Sequence, residues 1–544
     1  MMDKEEMVFE RTTSGMVRQL SWWDGFLSNV GTMNLFWIAY SYMWAIGLFP
    51  GNSILGALII VTVLLIFHVL LYAQFSAAIP RSGGDYVFNS RTLSPSIGFA
   101  VNFSMVVWNM FWMGFTAYMF ATAGISTTAS LLGYVFDSSW LVSLGTATFT
   151  QPFLALVIGG ITIICVGGLA LWGNRPFFRT MTIGFIIGTV GVIVLLIVLV
   201  ASNNKEFVET FNKFASSSTG IPNYLDNIMK VAQEKFGFVK SSPSFWSGPT
   251  LLAMAFAFQP LGFSVWSAYL SGEIKNAKSI KVHAGAMVGS LLFTGIGLII
   301  VGALVVHVLG YNFLGATGLF YHNFAELEGG IINNVYFFVA LLTKNPVFQL
   351  LIGLSLMAWT FLYIQPSLAM VSRCFFAWSV DGLAPKGLKH VNKRSHVPDV
   401  AIITACIIAI AFLAKFCWPG SMFSIYGANA FIGGGTITFA AVAVAAIIFP
   451  FSKKTKTLYE LSPVKWKIGS FPFMSLCGII STILLIYITL LYLLIPDFGV
   501  QTVPAIVFLC LLYVIGFVWY FIAWRLNKAK GIDTEKILRE IPED

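Results

Sequence analysis

Charge is what this sequence has least of. Only 10% of its 544 residues are Asp, Glu, Lys or Arg, against 57% hydrophobic and 15% aromatic. A water-soluble chain of this length needs far more surface charge, so ordinary soluble folds are excluded. Cysteine is scarce as well. Cys165, Cys374, Cys406, Cys417, Cys477 and Cys510 lie inside or at the ends of apolar runs. No CxxC or His/Cys spacing joins them, so neither a disulfide framework nor a metal site is indicated, and they read as small buried hydrophobes. HExxH and GxSxG are missing, and Gly272–Ser279 only approximates a Walker A loop, with Ala277 where glycine is required. No catalytic residue, cofactor or metal is therefore assigned. The start of the chain, with Asp3, Glu5 and Glu6 running into Trp22 and Trp23, carries no cleavage-site pattern. Solenoid repeats and low-complexity tracts are lacking too.

What the sequence has is long apolar runs, and a mean hydropathy of +0.82 reads as a polytopic membrane protein. Runs of membrane length predict twelve spanning helices, near 25–48, 53–78, 97–131, 151–172, 180–201, 250–270, 284–309, 347–377, 400–417, 424–449, 473–495 and 503–525. The net charge of +9 sorts with them. If the N-terminus is cytoplasmic, inside segments hold 25 of the 32 basic residues, and outside the long 203–248 loop only Lys344 and Lys415 are exceptions. Both termini are expected inside an integral cell-membrane protein. The charge follows topology, which leaves no role for nucleic acid. In the 203–248 loop, Ile221, Tyr224, Leu225, Ile228, Met229 and Ala232 recur at helical spacing. They predict a short amphipathic helix, either a packed cap or a surface helix on the outer leaflet.

One stretch stands out. Leu251–Ser279 is a membrane-length segment interrupted by Pro260 and Gly262. A broken helix survives in lipid only where its freed backbone groups face protein, water or a ligand. That is what a transporter builds at mid-membrane.

Three loop motifs give the chain a resemblance. Pro80-Arg81-Ser82-Gly83-Gly84-Asp85-Tyr86-Val87-Phe88 follows the second span, and Gly272-Glu273-Ile274-Lys275-Asn276-Ala277-Lys278 follows the sixth. Ser372-Arg373, then Asp381-Gly382-Leu383-Ala384-Pro385, follow the eighth, extended by Val391–Arg394 and Pro398. In order and position they resemble the amino acid–polyamine–organocation transporter superfamily. The resemblance implies an all-α polytopic fold of the leucine-transporter kind, a five-plus-five inverted repeat with discontinuous helices 1 and 6. It divides the chain into a cytoplasmic segment 1–24, a first repeat 25–201, the extracytoplasmic loop 202–249, an inverted repeat 250–449, helices 11 and 12 in 450–525, and a cytoplasmic tail 526–544.

In that fold both broken helices hold substrate with their unwound backbone. Here the counterparts are Ser28, Asn29, Val30, Gly31 and Thr32, running to Asn34, and Phe258, Gln259, Pro260, Gly262 and Phe263. Half-helix ends suit both charges of a zwitterion. Each residue also has a plainer role. Phe258 either lids the substrate or packs the core, Gln259 contacts ligand or a neighbouring helix, and Trp112 walls the pocket or is structural. His68, an ionisable group near mid-span, is a functional candidate or a neutral histidine bonded to a neighbouring helix. Thr360 and Ser367 are sodium-ligand candidates or interhelical glue. Ser264 stands where many relatives carry a carboxylate, and Ala277 where they carry proline.

The expected function is secondary active transport of a small, neutral amino acid by alternating access, within a lipid bilayer and with sodium or a proton as possible co-transported ion. Not an enzyme but a carrier is expected. The alternatives are a polyamine or organic-cation carrier, which would need acidic residues near the breaks, a nutrient sensor that binds without transporting, and a channel.

Overall fold

The computed structural model describes residues 16–320, 333–418 and 428–534. The chain is an all-α polytopic membrane protein. Among the described residues, eleven helical segments are long and apolar enough to cross a membrane. The expected first span is the exception, because it is broken into α1 (Trp22–Met33) and α2 (Ser41–Leu48), joined by a 3-10 turn. There follow α3 (Ile54–Ala78), the short α4 (Asp85–Thr92) and α5, continuous from Pro95 to Val135. Next come α6 (Pro152–Trp172), α7 (Asn174–Ala201) and two helices outside the spans, α8 (Asn204–Thr219) and α9 (Tyr224–Phe236). The second half holds α10 (Gly248–Leu261), α11 (Ile280–Leu309), α12 (Pro346–Val380) and α13 (Asp399–Cys417). It ends with α14, from Asn429 to Ile448, then α15 (Phe473–Leu494) and α16 (Val503–Ala529). Of the expected span 424–449, residues 424–427 lie outside the described residues, as do 1–15 and 535–544 of the two terminal segments.

Local signals explain where helices begin. At Ser21 a capping box starts α1, its hydroxyl accepting from the Asp24 N–H while the Asp24 carboxylate accepts from the Ser21 N–H at 2.7 Å. Ser94 caps α5 and Pro95 fills the first turn, where no N–H is needed. Lipid faces show as bare apolar stripes. Ile186, Ile193, Ile197 and Val200 stand exposed on α7, while Gly184, Gly188 and Gly191 turn inward, where α12 packs closely. Such a stripe has no place in water, and the small residues let two backbones approach.

α8 and α9 form one packed unit. Phe207, Phe211, Tyr224, Ile228 and Ala232 are buried, and Phe211 meets Phe313 at 5.2 Å and Tyr224 at 6.2 Å. The expected helix in this loop therefore has a companion, α8, which the 221–232 spacing does not predict.

Candidate substrate site

Both breaks fall at the C-terminal end of the stretch that the sequence suggests. Ser28–Thr32 were expected to be unwound, yet α1 runs through Met33. The polar side chains do not disturb the helix because their hydroxyls bond one turn back, Ser28 Oγ to the Asp24 carbonyl at 2.9 Å. Asn34 makes the break. Its φ of 63° is a conformation that side chains rarely adopt. Its own amide stabilises that turn, since Nδ2 donates to Gly31 O at 3.0 Å and Trp359 O at 2.6 Å, while Oδ1 accepts from Phe36 N at 2.8 Å.

In the sixth span, Pro260 is still helical and α10 ends at Leu261. Gly262–Val265 turn, and a 3-10 segment follows at Trp266–Leu270. The Phe258 ring lies over Gly262, where an added Cβ would sit 2.6 Å from its Cε2. Only glycine tolerates that approach. The N–H groups of Phe263, Ser264 and Val265 meet no acceptor among the described residues.

The two breaks are bound together. Asn29 Oδ1 accepts from Ser267 N at 2.8 Å, and its Nδ2 donates to Ser267 Oγ at 3.2 Å. The Thr32 hydroxyl lies 3.0 Å from the Phe263 carbonyl and within reach of Ser28 O and Asn29 O. Gly31 faces α12 instead, where a Cβ would come within 3.0 Å of Pro366 and 3.2 Å of Leu362 O.

An aromatic shell surrounds this junction. Phe431 lies 5.0 Å from Trp112, 6.2 Å from Phe263 and 6.2 Å from Trp37, and stacks on Tyr492 at 5.6 Å. Phe258 meets Phe263 at 6.2 Å. Helix α14 reaches the shell through a π turn, Ile432–Thr436, whose Gly434 packs on Trp108. Several polar atoms here are buried without a partner among the described residues, namely Ser264 Oγ, Gln259 Oε1 and the indole N–H groups of Trp112 and Trp266. On α12, Thr360 bonds its own helix at Leu356 O and Met357 O, whereas Ser367 Oγ is buried with no partner among the described residues.

One end of the bundle, the basic face, is closed by the three loop motifs. Gly83 and Gly84 take φ of 115° and 50°, which lets Gly83 N donate to Tyr269 O at 3.2 Å. Arg373 forks onto Glu273, each nitrogen at 2.9 Å, and Asn174 bonds both partners at 3.0 Å. Asp381 accepts from Arg91 at 3.0 Å and from the Tyr86 hydroxyl at 2.7 Å. Burial opposes the Arg91 cation, yet Asp381 and Tyr86 hold its pKa above the usual value. Leu20 joins from the N-terminal side, donating to Glu273 O at 2.9 Å and accepting from Lys275 N at 2.8 Å.

The amino acid permease family matches residues 27–532 of this chain, nearly all of it. The chain belongs to the amino acid permease family. No curated protein matches it. The permease is thus an amino acid transporter, with an amino acid as substrate and lipid around it.

Within the permease, the structure brings Asn29, Thr32, Phe258, Phe263 and Trp112 to one junction. It places Gly31 against α12 and leaves His68 to one side, 5.2 Å from Phe439, its ring nitrogens without a partner among the described residues. Asn34 closes the expected polar run, whereas Ser267, Trp37 and Phe431 have no place in the sequence reading. The signal for Phe431 was the Gly433-Gly434-Gly435 run beside it. Glu273, Arg373 and Asp381 were read as motif letters only, because nothing in a sequence says which loops meet.

Proposed function

We propose that this permease is a secondary active carrier of a small, neutral amino acid, working by alternating access around the junction of the two breaks. The supporting observation is that junction. Helices α1 and α10 both stop there with their carbonyl ends, which suits an ammonium or a cation, and the N–H groups of Phe263–Val265, unpaired among the described residues, suit a carboxylate. No charged residue occurs in 28–41 or 256–270, so the pocket carries no charge to match an ionised side chain. In this reading Asn29, Thr32, Phe263 and Ser264 line the substrate, Phe258 and Trp112 help enclose it, and Thr360 and Ser367 are the candidates for a co-transported sodium ion.

The breaks fall in the first helix of each expected half, 25–201 and 250–449, as an inverted five-plus-five repeat requires. The distribution of Lys and Arg supports a cell-membrane orientation with both termini and the basic face in the cytoplasm.

Counterflow in proteoliposomes tests the function. Saturable exchange of labelled neutral amino acids is expected, and imposing sodium or proton gradients separately identifies the coupling ion. No saturable exchange of any amino acid overturns it.

A further inference from the structure

Among the described residues three carboxylates are buried at the basic face, and two of them are matched by arginine. Glu273 holds Arg373 at 2.9 Å, while Asp381 holds Arg91 at 3.0 Å and Arg81 at 3.8 Å. The third is Asp85, at the first turn of α4. It is fully buried and has no ion-pair partner among the described residues. Its Oδ2 accepts from Asn102 at 3.1 Å, and Asn102 in turn accepts from the Trp378 indole at 2.8 Å. Oδ1 is buried and, among the described residues, no donor reaches it in good hydrogen-bond geometry.

The titratable groups facing it are Tyr72 on α3, Tyr269 just past the break, and Cys374 on α12. None brings positive charge. The hydroxyl of Tyr269 donates to Met105 Sδ at 3.5 Å, and Tyr72 leads on to His68, ring to ring at 5.0 Å. An ionised carboxylate in a dry site without a cation is costly, and such a group takes up a proton instead. Burial pushes the Asp85 carboxyl up to about 6, against the lowering pull of Tyr269, Asn102 and its own backbone N–H.

We propose that Asp85 is a proton-binding site of the closed basic face, protonated while α4, α12 and the segment after the break are packed together and deprotonated when they part. This rests on the alternating-access reading, in which that face opens. Because the closed form binds the proton more tightly, it is favoured as pH falls through about 6, and the preference is lost above that value.

Two measurements on the purified full chain test this. An infrared titration from about pH 8 to about pH 5 is expected to show a protonated-carboxyl band growing in, absent from Asp85→Asn and moved but present in Asp85→Glu. In proteoliposomes, lowering the pH on the basic face slows wild-type exchange by roughly an order of magnitude, and the Asp85→Asn rate no longer responds to pH. An Asp85→Asn protein that keeps the wild-type band and pH profile overturns the proposal. If wild type shows no exchange at any pH, the carrier reading fails, while the infrared titration still decides whether Asp85 holds the proton.

Discussion

Asn34 carries more of the first break than any other side chain. It closes two carbonyls and one N–H at a dihedral that costs energy without them. Asn34→Ala leaves those groups buried and unpaired, a loss of about 2 kcal/mol or more. Asn34→Gly gives up the same bonds but relieves the dihedral, so its melting point in detergent should lie between those of wild type and the alanine variant. At the basic face, Arg373→Ala leaves Glu273 buried without its cation and should cost about 3–5 kcal/mol. Pairing it with Glu273→Gln should recover part of that loss, and thermal unfolding of both variants checks the order. The sequence showed which residues these were, since Asn34 ends a polar run and Arg373 sits in a motif. It did not show their partners, because Trp359 and Glu273 are brought in from hundreds or about a hundred residues away.

Elements, rather than single residues, decide how the breaks are held. Polar residues in a span do not unwind it when each can bond its own preceding turn, which is why Ser28 and Thr32 leave α1 intact. The Thr32 hydroxyl nonetheless reaches the carbonyl of Phe263 on the other break. Thr32→Val keeps the shape and removes that reach. It should lower substrate affinity more than it lowers melting temperature, and exchange kinetics beside a thermal scan separate the two. The π turn in α14 is a second such device. A Cβ on Gly434 would meet Trp108 Cβ at 2.7 Å, so Gly434→Ala should push α14 away from α5 and reduce both stability and exchange. The spacing of apolar residues could not reveal a π turn, since one extra residue per turn leaves the run as apolar as before.

At the scale of the whole molecule, the described residues hold eleven segments of membrane length, one of them interrupted at Gly262, and with the broken first span counted as a twelfth the number of crossings would be even. Tags at Met1 and Asp544 should therefore be reached from the same side of intact cells or vesicles, and labelling from opposite sides would contradict the topology. Membrane residence and the succession of membrane-length helices were legible in the sequence alone, because a bilayer imposes length and apolarity on every span regardless of what the span touches. So was the existence of a break near Gly262, where a proline and a glycine interrupt a hydrophobic run. What only the tertiary structure decided was which residue of the 28–34 run makes the first break, the junction of the two interrupted helices, and the difference between Asp85 and its two arginine-bound neighbours. Each of these depends on which distant group supplies a hydrogen bond or a charge, and that pairing is fixed by packing rather than by local sequence.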